Sequence, residues 1–257
     1  MSKDITNVLS GWEYDPDELQ VRIVAGDDGR EKIQMRLDLG LIQVEMAGRP
    51  DGGRPEGYES LLEAYEARAK AAERQGESFK LDSKACADLL REGYQYYHRY
   101  LAAFHLQRYD VVSRDTDRNL RLFAFVVRHA ARRRDRLEFD QYRPYVLMMR
   151  GRARAHLALA RRDYDGALAA VDEGIVHIRE FLKEYGQAED ETVCSELAFL
   201  LRFRRELEEE RPVGPVERLE RQLAMAVENE DYEEAAKLRD QLSRLKGLTP
   251  AGRARPG

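Results

Sequence analysis

Cysteine is scarce in this chain. Cys86 and Cys194 are the two among 257 residues, far apart and each inside a helical pattern. That spacing excludes a disulfide framework and leaves no C-x-x-C pair for a cysteine-based zinc site; both read as small buried apolar residues. Long apolar runs are missing as well. No stretch approaches the roughly 20 residues of a bilayer-spanning helix, and the opening MSKDITNVLSGWEYD lacks the charged-then-apolar order of a secretory signal. The expected location is therefore cytoplasmic. Nor does charge of one sign dominate: 43 basic residues stand against 48 acidic ones, a formal balance of −5, which argues against wholesale nucleic-acid binding. The phosphate-cradling pattern G-x-x-x-x-G-K-[ST] is absent, and no metal or other cofactor is expected.

What is present suffices for a buried core. Hydrophobic residues make up 43% of the chain, enough for one or two domains at this length. The periodicity changes along the chain. Leu19, Val21 and Ile23 alternate, Gly26-Asp27-Asp28-Gly29 supplies turn chemistry, and Ile33, Met35, Leu37 and Leu39 alternate again, as a β-hairpin requires. After Gly40 the phase shifts to Ile42, Val44 and Met46, which suggests a bulge or a sharp bend between two strands. The Gly- and Pro-rich run from Gly48 to Pro55 ends this sheet.

From Tyr58 onward the period is helical. The first stripe runs from Tyr58 to Ala72 and stops near Gly76; a second starts at Asp82 or Ser83 and passes through Leu89, Tyr94, Tyr97, Leu101 and Phe104; a third carries Val112, Leu120, Phe123 and Val126. A break is expected from Arg136 to Asp140, with helix resuming around Pro144, which suits a first turn. Further helices hold Leu147 to Ala160, Ala167 to Leu182, and Thr192 to Glu209. The run Arg162-Asp163-Tyr164-Asp165-Gly166-Ala167-Leu168 is similar to the turn and second helix of a tetratricopeptide repeat, and Gln107-Arg108-Tyr109-Asp110 echoes it upstream. Gly151 and Ala158, where such repeats carry aromatics, fit that pattern poorly, and the spacing of the echo exceeds the roughly 34-residue period. The expected fold is thus mainly α: a small N-terminal antiparallel β-sheet (1–56), a tetratricopeptide-like helical bundle (57–210), a linker (211–215), a helical hairpin (216–247) and a disordered tail (248–257).

The hairpin is the most informative stretch. Val216, Leu219, Leu223 and Ala226 recur at spacings of three and four, as do Tyr232, Ala235, Leu238, Leu242 and Leu245 after the turn Asn229-Glu230-Asp231. Helices of about four turns are not stable alone, so the two stripes must close on each other. The run from Glu230 to Asp240, EDYEEAAKLRD, preceded by Leu219-Glu220-x-x-Leu223, resembles the UVR domain, the hairpin shared by UvrB, UvrC, McsA and ClpC. In that family the hairpin docks proteins and is not itself a catalyst. The resemblance implies a protein partner, another UVR hairpin or a second copy of this chain; membrane binding is not expected from the hydropathy, nor nucleic-acid binding from the charge balance. It also implies Leu219, Leu223, Tyr232, Ala235, Leu238 and Leu242 as docking residues, with Arg239 and Asp240 as polar partners. Some of these must instead close the hairpin. The ATPase motif of UvrB, a nuclease signature like that of UvrC and the zinc ligands of McsA are all missing, so the docking element alone carries over.

Elsewhere the candidates are sparser. His98 and His105 lie seven apart with no third ligand at helical spacing, so an aromatic cluster outweighs a metal site. Asp115, Asp117 and Arg118 read as an intrahelical ion-pair surface. The arginines between Arg128 and Arg136 suit a helix C-terminus, where the dipole favours cations. Arg49, Asp51 and Arg54 in the Gly-Pro loop are candidates for binding an anion or a partner carboxylate, with turn formation as the simpler use. Two functions compete: a non-catalytic adaptor working through the hairpin, and a small-ligand binder or enzyme with its pocket between residues 48–55 and the tyrosine-rich helix. A regulator of UvrB/UvrC-type excision repair is a third.

Overall fold

In the computed structural model, residues 4–188, 192–212 and 214–246 are described. A short helix α1 (Thr6–Leu9) precedes three strands, β1 (Val21–Ala25), β2 (Glu31–Leu37) and β3 (Gly40–Glu45), which form an antiparallel sheet in the order β1-β2-β3. Helices follow: α2 (Leu61–Arg74), α3 (Ser83–His105), α4 (Tyr109–His129), α5 (Arg133–Asp140), α6 (Arg143–Leu159), α7 (Tyr164–Glu184), α8 (Ser195–Glu210), α9 (Pro215–Glu228) and α10 (Tyr232–Leu245). The chain divides into two compact units, residues 1–208 and 209–257. It is mainly α with a small sheet and a C-terminal helix pair, as the periodicities require. The tail 248–257 falls outside the described residues.

The phase shift at Gly40 is a two-residue turn, not a bulge. Leu37 pairs with Gly40 and the register then runs unbroken to Lys32 opposite Glu45. Asp38 and Leu39 form the tip, so Leu39, expected to alternate inward, is 91% exposed. Arg36 holds this tip through the carbonyls of Leu37 and Gly40, and its Nε donates to the Trp12 carbonyl at 2.9 Å. The inward residues Ile33, Met35 and Val44 share one core with Tyr100, Ala103 and Val111 of the helices. A second cluster joins α2, α3, α4, α5 and α6 through Leu62, Leu89, Leu122, Phe139 and Val146.

The expected break at Arg136 to Asp140 is instead helix α5, because Phe139 and Asp140 are buried against the bundle and tertiary packing overrides a weak local pattern. Pro144 sits in the first turn of α6, and the described part of the sixth stripe begins its helix at Ser195, close to where the periodicity puts it. Arg136 donates from Nε and Nη2 to the Ala130 carbonyl at 3.0 and 2.9 Å, completing the end of α4.

One turn design joins α3 to α4, α6 to α7 and α9 to α10. Ala103, Ala158 and Ala226 each accept a backbone bond from the residue five positions later, at 2.8, 3.0 and 2.8 Å. The residue before that donor is left-handed in each case: Gln107 (φ 57), Arg162 (φ 60) and Glu230 (φ 56). This is the Schellman closure built without glycine. The donor then serves as the N-cap of the next helix, which opens with Tyr109-Asp110, Tyr164-Asp165 or Tyr232-Glu233. Asp163 and Asp231 also cap through their side chains, accepting from Gly166 N at 2.8 Å and Glu234 N at 3.1 Å.

Candidate functional site

The C-terminal hairpin closes on a small seam. Ala226, Ala235 and Leu238 are buried, Leu219 and Leu223 pack against them half-buried, and Leu242 is buried further along α10. Alanine at 226 and 235 lets the helices approach closely beside the turn. Lys246 Nζ meets Glu220 Oε1 at 2.6 Å, tying the open end. Pro215 at the first position of α9 matches the helix entry, where a missing N–H costs nothing.

The seam accounts for most residues assigned to docking from sequence. Ala235, Leu238 and Leu242 are inside it and Leu219 and Leu223 flank it, so their contacts hold the hairpin together. Tyr232 differs: it is 70% exposed at the first position of α10. Arg239 and Asp240 are exposed and pair with each other at 3.1 Å. Sequence reasoning did not single out Met225 and Val227, which are 62 and 52% exposed, and it placed Leu245, 56% exposed, on the stripe but not among the docking residues. Met225 and Val227 flank the stripe position Ala226, and apolar residues beside a stripe were the signal available. Met225, Val227 and Tyr232 all lie within a few residues of the turn, each exposed, among the exposed acidic residues Glu228, Glu230, Asp231, Glu233 and Glu234.

Residues 215–248 match the UvrB/uvrC motif family. The match spans both helices and the turn, so the UVR motif and the structural hairpin are one object. No curated protein and no solved structure matches the chain.

In the first unit, Arg49 and Asp51 are brought together and Arg54 is not shown with them. Arg49 Nε stands 3.2 Å from Glu92 Oε2 and its Nη2 is 3.3 Å from Asp51 Oδ2. Asp51 also accepts from Gln95 Nε2 at 3.0 Å and from Gly53 N at 2.9 Å. Arg54 is exposed. The loop is therefore anchored to α3 through two of its three charged residues.

The polar patch on α4 is not an intrahelical surface. Asp115 is fully buried and takes Arg99 of α3 in a two-point contact, Nε at 2.6 Å and Nη2 at 2.9 Å. Arg118 pairs with Glu92 of α3, and Asp117 pairs with Arg154 of α6 at 2.9 Å. Because α4 packs between α3 and α6, Asp115, Asp117 and Arg118 find partners on neighbouring helices, Asp117 while still part-exposed. Arg99 continues to the carbonyls of Glu45 and Gly48 at 2.9 and 2.8 Å. Glu92 also accepts from the backbone N–H groups of Leu61 and Leu62 at 2.7 and 3.2 Å, satisfying the start of α2. The guanidinium of Arg118 lies 4.0 Å from the Tyr96 ring centre, and burial lowers its pKa. This network joins the sheet, the loop and three helices.

His98 is half-buried and His105 exposed. Among the described residues no group of three or more His, Cys, Asp or Glu could hold a metal ion, and no helix is long and apolar enough to cross a membrane. Cys86 and Cys194 are both buried free thiols, and burial pushes Cys86 up to about 11.

Proposed function

We propose that this chain is a non-catalytic cytoplasmic adaptor whose UVR hairpin docks onto a protein partner, another UVR-type hairpin or a second copy of itself. The observation that carries this reading is the division of labour in the hairpin. Its seam uses Ala226, Ala235 and Leu238, while Tyr232 remains 70% exposed with Met225 and Val227 nearby in sequence. An exposed aromatic is the residue type enriched where interfaces gain most energy. The helical bundle would serve as the second interaction module, with UvrB or UvrC as candidate partners in a repair setting.

The test is affinity capture from the native host with the full chain, a chain lacking residues 212–257, and Tyr232→Ala. Removal of the hairpin should abolish capture of a defined protein set. Tyr232→Ala should weaken that capture by about tenfold or more while leaving the hairpin's helicity unchanged. Identical protein sets from all three would refute the adaptor reading.

A further inference from the structure

The first unit contains a cavity of about 420 Å³ beside the tyrosine-rich helix α3, enclosed also by residues of α4, α6 and α8. No residue of the 48–55 loop lines it, so it is distinct from the site that sequence patterning placed between that loop and α3. Tyr100, 1% exposed, forms its depth, and Tyr94 and Tyr142, 42 and 37% exposed, stand where it opens. Tyr97 lies between these levels. Its ring is perpendicular to Tyr100 at 5.5 Å and inclined 56° to Tyr145 at 6.1 Å. Rings inclined in this way meet edge to face, a favoured aromatic contact, and here all three line the cavity.

Both signs of charge act near this tyrosine box, since the Arg152 guanidinium acts on Tyr145 from outside the lining residues. No lysine or arginine lines it, and Glu196, in the first turn of α8, contributes a carboxylate. Ser195 Oγ and Cys194 Sγ both donate to Glu196 Oε2, at 3.0 and 3.4 Å, and Oε1 takes part in neither bond. The Tyr94 and Tyr142 hydroxyls are 3.0 Å apart and occupy each other. Burial pushes Tyr145 up to about 12 and Tyr100 further still, and Tyr94 is also raised to about 12, chiefly by its bond to Tyr142. The Tyr94, Tyr100 and Tyr145 hydroxyls are therefore neutral near pH 7, and negative potential comes from the ring faces and Glu196. A neighbouring concavity on α4, α6 and α7 contrasts with this: Arg143 there is already neutralised by Asp140 and Glu184, the latter at 2.9 Å. The tyrosine box has aromatic faces and an acid among its lining residues, and the nearby Arg152 guanidinium lies over the Phe104 and Phe199 rings, 4.2 and 4.4 Å from their centres.

We propose that this box binds an organic cation carrying a methylated ammonium group, with the rings of Tyr97, Tyr100 and Tyr145 around the methyl groups and Glu196 facing the charge. A quaternary ammonium is weakly hydrated and large enough to touch several rings at once, and aromatic cages are the recurrent solution for it. An inorganic cation would want more oxygen ligands than one carboxylate supplies. An anion would meet ring faces and Glu196, both repulsive.

The experiment is isothermal titration of the full chain with choline, with tetramethylammonium and with 3,3-dimethylbutan-1-ol, the uncharged isostere of choline. Both cations should bind, and choline should bind at least about tenfold more tightly than the isostere, within the range of a desolvated cation on an aromatic ring. Glu196→Gln should weaken choline several-fold with no loss of melting temperature, and Tyr97→Leu should remove binding. Equal affinity for choline and its isostere would reduce the site to an apolar pocket and overturn the proposal. Absence of heat and of any melting shift with both cations at about 10 mM, a very weak affinity, would also overturn it. Neither variant is needed for that decision if one fails to fold.

Discussion

Arg99 and Glu92 carry full charges with no exposure to solvent, a condition that survives only when each charge is paired and its remaining hydrogen-bonding capacity is used. Both conditions hold: Asp115 takes two nitrogens of Arg99 and two backbone carbonyls take the third. Removing one partner leaves the other stranded. Asp115→Ala should therefore cost about 3–5 kcal/mol of stability, read as a fall in the urea midpoint. Replacing Arg99 and Asp115 together by Met and Leu should cost much less than the single change. A second prediction at this scale concerns His156, which stacks on Tyr109 at 4.5 Å and also meets Phe104 and Phe203. Burial, and then the positive charge of Arg152, lowers its pKa from the ordinary 6.5. The folded protein thus prefers the neutral ring. The stability from this group is fully present above the unfolded pKa and is lost as pH falls from there through the lower folded value. Melting temperature should drop between about pH 7 and pH 5, and His156→Phe should flatten part of that drop. Neither arrangement was legible in the sequence, where Asp115 and its neighbours look like an exposed helical charge cluster. Spacing along one helix does not reveal which neighbouring helices a helix will pack between.

At the scale of elements, α6 meets α7 closely at two glycines, Gly151 and Gly174. A Cβ on Gly174 would come 2.8 Å from Leu200 Cδ1, whereas one on Gly151 would meet nothing nearer than the Ala170 carbonyl at 3.4 Å. Helix propensity favours alanine over glycine at both by about 1 kcal/mol. The outcome should therefore split: Gly151→Ala neutral or mildly stabilising, Gly174→Ala destabilising by about 1–3 kcal/mol because Leu200 is buried and cannot move freely. Equal effects in thermal denaturation would show that the crossing is looser than described. Gly151 looked out of place against a tetratricopeptide pattern, and the crossing explains it, since it lies 3.9 Å from the Cα of Gly174 when given a Cβ. The Tyr-acid opening that two helices share in the sequence is joined by the UVR hairpin through the left-handed Glu230. Tyr109 in the first of these turns is stacked on His156 of α6, while Tyr232 in the last is exposed. The same turn thus yields a packed ring where a further helix covers it and a free one in the hairpin.

At the scale of the whole molecule, each unit owns its core. The two clusters of the first unit draw their buried residues from Ile33 to Leu207, and that of the hairpin draws on Ala226, Ala235 and Leu238. A chain ending at residue 208 should accordingly melt within about 2–4 °C of the full chain and retain choline binding. A collapse of its cooperative transition would show that the hairpin supports the bundle.

The strands, most helices, the UVR hairpin and its seam follow from residue order, because periods of two and of three to four reflect local backbone geometry and need no knowledge of neighbours. Turn identity followed in part, through Gly26-Gly29 and Asn229-Glu230-Asp231. The partners of Glu92, Arg99 and Asp115, the inward turn of α5, and the grouping of five tyrosines with Glu196 around one cavity depend on residues as far apart as Tyr94 and Glu196 meeting in space. Such meetings are set by how faces pack, which a one-dimensional pattern does not encode. Tyr232 stands between these cases: its place at the start of the second helix of the hairpin let the sequence allow its ring to leave the seam, and the closed seam decides that it does, with 70% exposure.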